Sequence, residues 1–492
     1  MGDEQHPAGI ALPLRGDGRD SAEFAKAVLA DSVRKHDADL SQDIESARKW
    51  NSEYVLAFRS LTALTASSAK ASRGIAAAGL RSVHALLRFV DDDGNESALD
   101  GGEWRTEGAT LGTETVHGGG EPVTTLRVPY DGRHLEGDAL RRKLIEWRDA
   151  GVLEPSFVTA VERVVDDPSW LALPGYQAVL LGAGAETGPF QPLVTWGASV
   201  LAVEQPGERW DRLLRGVEAG ASSVTYATTD GRPGVDVAQD FPAVARWIEA
   251  NTTTSKTLVL GTYADADDAA DIRLTAASDV VAQEVLTARP DAALAYLATP
   301  TDAFAVKADV IADARGKWRD RGVTGHLQNA LRIASRSALF RPNYADEIID
   351  RSGTHWSVAN GLVAVQGPDY ALSKRLQRWR GVTEQSAGRN VSFNVAPASW
   401  TQAVTRSRVL TGAYHGASRF GVEIFEPETA RALMAAKLVS DLYAPVEVRK
   451  RANPEELFYE GAVHGGLWRQ PFDPLSVLGV AAASGYPRAL LG

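Results

Sequence analysis

Apolar positions near the start of the chain recur at three- and four-residue spacing. Phe24, Val28, Leu29 and Val33 fall on one helical face. The period continues to about Val90, and glycine is scarce before Gly74, so residues 21–90 are expected to be helical. From Asp91 to Gly137 short alternating runs such as TTLRVPY stand between DDDG, DGG, HGGGEP and YDG, a pattern that predicts a small antiparallel sheet. DALRRKLIEWRDAGV and PSFVTAVERVV restore the helical period up to Pro174-Gly175, a natural boundary. Beyond it, the buried-strand runs QAVLLG, ASVLAVE, SSVTYAT, TLVLGTY and AALAYLAT alternate with helical stretches such as DRLLRGVEAG and FPAVARWIEAN. Such alternation specifies a parallel sheet with helices on both faces. The expected fold is α/β, a doubly wound parallel sheet preceded by an α+β domain. The expected domains are 1–174, then 175–445 with an insertion at about 303–365, then a C-terminal extension, 446–492. No motif in the first domain suggests chemistry.

Composition narrows the function. A chain of 492 residues is long enough for two or three domains. Its net charge of −11 argues against nucleic acid or an anionic membrane as partner, since both require a basic face. With no cysteine, disulfides, thiol catalysis and cysteine-ligated metals are excluded. The opening MGDEQHPAGIALPLRGDGRD lacks a basic stretch followed by an apolar core, and no apolar run approaches a membrane span in length. A cytoplasmic protein with no membrane span is expected.

The first strand after the boundary ends in Gly182-Ala183-Gly184-Ala185-Glu186-Thr187-Gly188-Pro189. A turn this tight lets backbone approach a pyrophosphate, whose charge then meets the next helix N-terminus. Pro189 suits a first helical turn. Glu204, at the end of the second strand, is placed to accept hydrogen bonds from an adenosine ribose. S-adenosylmethionine sites use the same turn and acid. They commonly carry a further acid before the first glycine, where this chain has Leu180 and Leu181, so the pattern leans toward a dinucleotide.

In PDYALSKRLQRW, Tyr370 and Lys374 stand at i and i+4 of an expected helix, so both project from one face. A nearby ammonium stabilises a phenolate, which suits a tyrosine acting as acid or base on a carbonyl. Together these features resemble the short-chain dehydrogenase/reductase family from about Gly175 to Pro445. GAGAETG stands at the family's glycine turn, with Gly182, Gly184, Thr187 and Gly188 as cofactor contacts. Asp236-Val237 sits like the pair that meets adenine, and YALSK matches the catalytic Y-x-x-x-K. VSFNVAPASWT resembles the segment that packs on nicotinamide, with Pro397 and Thr401 as contacts.

The resemblance implies a Rossmann-like domain and interconversion of a ketone and a secondary alcohol. Tyr370 would move the hydroxyl proton while Lys374 lowers its pKa and holds the ribose. NAD(H) is the preferred cofactor, because Glu204 would repel a 2′-phosphate; NADP(H) is the second choice, and no metal is required. A homodimer or homotetramer is the family's habit. Departures leave other readings open. Glu186 replaces the usual middle glycine, and Gly261-Thr262-Tyr263-Ala264 replaces Asn-Asn-Ala-Gly, with Gly261 as the cofactor contact expected there. Ser357, thirteen residues before Tyr370, keeps the family's spacing for the hydroxyl that polarises the carbonyl. Thr299 and Thr301 lie where the fifth strand ends and take over if the insertion is a lid. The alternatives are an S-adenosylmethionine-dependent methyltransferase and an inactive binding module.

Overall fold

The computed structural model describes residues 8–16, 18–362 and 366–489. Along the strand Tyr176–Leu181, successive side chains enter opposite cores: Val179 and Leu181 one, Ala178 and Leu180 the other. Val200–Val203 repeats this, with Leu201 and Val203 set against Val200 and Ala202. A period of two with both faces apolar requires a sheet covered on both sides.

That sheet contains β1 (Gly112–His117), β2 (Tyr176–Leu181), β3 (Val200–Val203), β4 (Ser223–Thr229), β5 (Thr257–Thr262) and β6 (Ala293–Ala298). The strands β7 (Ala303–Lys307) and β8 (His355–Asn360) lie outside it, and β9 (Val391–Val395) returns to it. The spatial order is β1-β4-β3-β2-β5-β6-β9, parallel from β4 to β9, with β1 antiparallel on the outer edge of β4. Strand order therefore reverses beside β2. In open α/β sheets a ligand crevice lies at such a reversal, outside the carboxyl ends of the strands.

One face is covered by α1 (Ser21–Val33), α2 (Ala69–Leu86), α5 (Val237–Asn251), α6 (Asp268–Ala288) and α7 (Gly367–Ser386). The other is covered by α3 (Pro155–Asp166), α4 (Phe190–Trp196) and α9 (Pro427–Tyr443). The fold is thus α/β and doubly wound.

The stretch expected as one small sheet is divided. Arg88–Val90 pairs with Gly9–Ala11 on one side and Glu96–Ala98 on the other in a separate antiparallel sheet, whereas β1 joins the central one. Sequence pattern hid this because GTETVH is an exposed, polar edge strand with no apolar alternation.

The N-terminal helices lie directly on the helix that carries Tyr370. A Cβ on Gly79 of α2 would come within 2.4 Å of the Trp379 ring of α7, so only glycine permits this approach. Beside that crossing a buried ion network joins α2, α6 and α7. Arg380 grips Asp279 through two bonds of 2.7 and 2.8 Å, and His84 reaches the same carboxylate at 2.8 Å. Between β6 and α7, β7 and β8 form an antiparallel sheet with Ile348–Ile349, and the helices Ala308–Arg319 and Gly322–Ala334 lie between β7 and β8. Past β9, α8 (Arg408–Ala417) packs closely on α10 (Pro474–Ala489): a Cβ on Gly416 would stand 2.0 Å from the Ala481 carbonyl.

Candidate active site

Thr299 is the first residue after β6. Its Oγ1 is 2.8 Å from the Tyr370 phenol and 2.9 Å from the Thr301 hydroxyl, to which Gln366 Nε2 donates at 2.8 Å. Four side chains so form a continuous hydrogen-bonded chain at the carboxyl edge of the sheet. Ser357 lies within β8, and its hydroxyl donates to the Asp346 carbonyl at 2.6 Å. The structure brings Thr299 to Tyr370 and engages Ser357 elsewhere. Spacing in sequence favoured the serine, but residues 303–362 form a separate sheet and helices, so that spacing no longer reports distance. His355 pairs with Glu347 at 2.8 Å on the surface, and Trp356 is buried.

Lys374 is buried one turn beyond Tyr370, its Nζ 5.5 Å from the phenol ring centroid. Burial of the phenol pushes the Tyr370 pKa above its ordinary value. The Thr299 hydrogen bond opposes the rise, while nearby carboxylates, Asp302 first, add to it. The net direction is opposite to the lowering expected from Lys374, so the group is a protonated phenol across the neutral range.

Three groups at this site had no signal in sequence. Asp271, in the first turn of α6, is 2% exposed; burial lifts its pKa to about 6 against the pull of the Lys374 charge. Tyr414 of α8 stands close enough to Tyr370 to be influenced by it, with its own pKa pushed to about 12 mainly by burial. Trp400 meets Tyr414 edge-on at 5.5 Å, so the two rings form an aromatic wall.

The nucleotide half of the site assembles at the strand reversal. Gly182, Ala185, Glu204, Arg209, Val237 and Tyr263 line one narrow cleft there. Gly182 has φ +82°, and a Cβ on it would strike the Ala264 amide at 2.2 Å, which accounts for the glycine. Glu204 is 5% exposed. Its Oε2 accepts the Gly184 amide at 2.7 Å, and its Oε1 takes the Gln205 amide at 3.2 Å with Arg209 Nη1 at 3.6 Å. Burial raises its pKa, opposed by the Gly184 amide.

Asp236 caps α5 by accepting the Ala238 amide at 2.9 Å, leaving Val237 in the cleft. Gly261 ends near Tyr263, whose ring lies 2.4 Å from where a Cβ would be, so the tyrosine explains that glycine. Thr187 and Gly188 belong to the turn before α4, where Gly188 stands against Ala185.

Glu186 reaches across from this turn to accept the Gln402 amide at 2.9 Å, and its carbonyl takes Arg431 Nε at 2.9 Å. The glycine turn and the segment after β9 are therefore joined. On that segment the Pro397 carbonyl accepts the Ser399 hydroxyl at 3.0 Å, and Thr401 precedes the short helix Gln402–Arg406.

Among the described residues no helix is long and apolar enough to cross a membrane, and no cluster of ligating side chains fits a metal. No family model and no curated protein matches the chain. Solved structures match it in part. One is described as an A-type ketoreductase from a modular polyketide synthase, at 15% identity and TM-score 0.33, covering 55% of this chain and 46% of that one. Another, an A1-type ketoreductase, shows 14% identity and TM-score 0.34 over 64% of this chain and 54% of the other. The chain thus spans about half the length of each.

Proposed function

We propose that this chain is a nicotinamide-dependent oxidoreductase of the short-chain dehydrogenase/reductase type, acting between a ketone and a secondary alcohol. The observation that carries the reading is the 2.8 Å contact between Tyr370 and Thr299 at the carboxyl edge of the sheet, with Lys374 one turn on. A protonated phenol hydrogen-bonded to a hydroxyl is an oxygen-binding pair. Thr299 donates to the substrate oxygen and orients it, and Tyr370 delivers the proton as charge develops there. Thr301 and Gln366 hold the Thr299 hydroxyl in line, while Lys374 fixes the tyrosine from its ring face. The aromatic wall of Trp400 and Tyr414 offers an apolar surface for the substrate body.

The residues at the strand reversal fit the adenosine half of a dinucleotide. Glu204 would meet the ribose hydroxyls and Val237 the adenine, with Gly182 and Ala185 at the turn. Bound there, a nicotinamide supplies hydride to the substrate carbon.

Two predictions arise here. Thr299→Ala is expected to lower kcat about 10²-fold with a smaller change in KM, whereas Ser357→Ala stays near wild type. Steady-state kinetics on any accepted ketone compares them, and equal small effects would remove Thr299 from the mechanism. NADH is expected to bind more tightly than NADPH because Glu204 would face the ribose. Glu204→Ala should narrow or reverse that order, since Arg209 then loses its carboxylate partner. Fluorescence titration with both reduced cofactors reads this directly. Tight S-adenosylmethionine binding with no nicotinamide binding would overturn the oxidoreductase reading.

A further inference from the structure

A second cavity opens at the other end of the sheet, where β9 begins rather than ends. It is a small, partly open cavity of about 180 Å³, sized for a compact ligand. Its walls come from α3, the end of α7, the first residues of β9, α9 and the segment from Arg449 to Gly461. The helical face of α3 that lines it carries Ser156, Thr159, Ala160 and Arg163, spaced as one stripe.

Charge sets this cavity apart. In a chain of net charge −11, its lining holds five cations (Arg163, Arg389, Lys437, Arg449, Arg451) against two carboxylates, Asp441 and Glu460. Lys437 pairs with Asp441, and Arg451 with Glu460 at 3.0 Å, which consumes both acids. Arg389 reaches Glu384 at 3.2 Å, but that carboxylate is already held by Arg380 at 2.9 Å. Among the described residues, Arg163 and Arg449 have no carboxylate partner.

Hydrogen bonding gives a second, independent sign. The Nε atoms of Arg389 and Arg449 are buried there without an acceptor. Buried polar atoms of native proteins are nearly always paired, so two orphaned guanidinium donors at one cavity point to a missing acceptor. Phe393, Val391 and Leu457 supply an apolar floor beside them.

We infer that this cavity binds a phosphorylated small molecule, its phosphate held by Arg163, Arg389 and Arg449 and its organic part on the apolar floor. Planar guanidinium forks match phosphate oxygens in pairs, and three of them supply the charge that a phosphate dianion carries. The site is separate from the nucleotide cleft. The five residues of β9 lie between this end of the sheet and the segment beside Glu186, a span of roughly 17 Å.

Inorganic pyrophosphate is the probe, titrated calorimetrically into the full chain. Saturable binding is expected, weakened about tenfold or more in Arg163→Gln/Arg449→Gln, while NADH affinity of the same preparation is unchanged. Should the double variant not fold, Arg163→Gln alone, on a half-buried position of α3, is expected to weaken the probe in the same direction. Absence of saturable binding overturns the site. So does binding that survives in the variants, because the probe would then sit elsewhere, such as the glycine turn. Failure of NADH to bind either protein would remove the oxidoreductase reading and leave this result standing.

Discussion

Tyr370→Phe is expected to lose at least about 10²-fold in turnover while the fold and nucleotide binding persist. The change removes one hydroxyl and nothing else. The ring of residue 370 still packs beneath Lys374, so the loss reports the phenol and not the helix. General acid catalysis by a positioned side chain is worth about 10²–10⁴-fold, which sets the scale. Because burial keeps the phenol protonated, wild-type reduction should hold its rate across neutral pH and fall only on the alkaline side. Near-normal turnover in Tyr370→Phe, measured on any ketone the wild type reduces, would sink the mechanism. An inactive binding module would show no turnover to lose, so the wild-type assay separates the two outcomes.

Arg380→Met should destabilise the protein by about 3–5 kcal/mol, the usual consequence of stranding a buried charge. Asp279 is 4% exposed and takes two bonds from the Arg380 guanidinium and a third from His84. Burial alone would raise its pKa; the Arg380 charge and hydrogen bonds outweigh that and hold the carboxyl well below the usual range. A depressed folded pKa gives stability that is present above the ordinary aspartate range and lost as pH falls. The difference between wild type and variant should therefore be full at neutral pH and shrink below about pH 4. Urea unfolding at pH 7 and pH 3.5 measures both arms. A second change, Asp279→Leu, should restore part of the loss, because it removes the stranded charge. A variant as stable as wild type at pH 7 would show that the pair adds nothing to the joint between α2, α6 and α7.

How much of this was legible in sequence depends on distance along the chain. Buried strands such as QAVLLG declared themselves because both faces are apolar, and Tyr370 with Lys374 declared themselves because a helix puts i and i+4 together. Glu204 was readable as a strand-end acid. Thr299 could be shortlisted but not chosen, since it lies 71 residues from the phenol it touches. Asp271 gave no sign, as its meaning comes from burial beside Lys374 and not from any neighbour in sequence. Gly261 was readable as a glycine at a strand end, but sequence did not show that the ring of Tyr263, two residues on, forbids a side chain there. The cationic cavity was invisible because its arginines come from three separate stretches of chain.

The edge strand β1 has a consequence in time. Its last residue, His117, bonds Ser223 across 106 residues, at 2.8 Å. A ribosome adding roughly 5–20 residues per second would release β1 some 5–20 s before its partner exists. During that wait an apolar strand would be a hazard to the nascent chain. GTETVH, with Thr113, Glu114 and Thr115 ready to be hydrated, can wait in water. Once β4 emerges, the Thr115–Thr225 and Glu114–Tyr226 bonds at 3.0 and 2.6 Å give the late pairing its register.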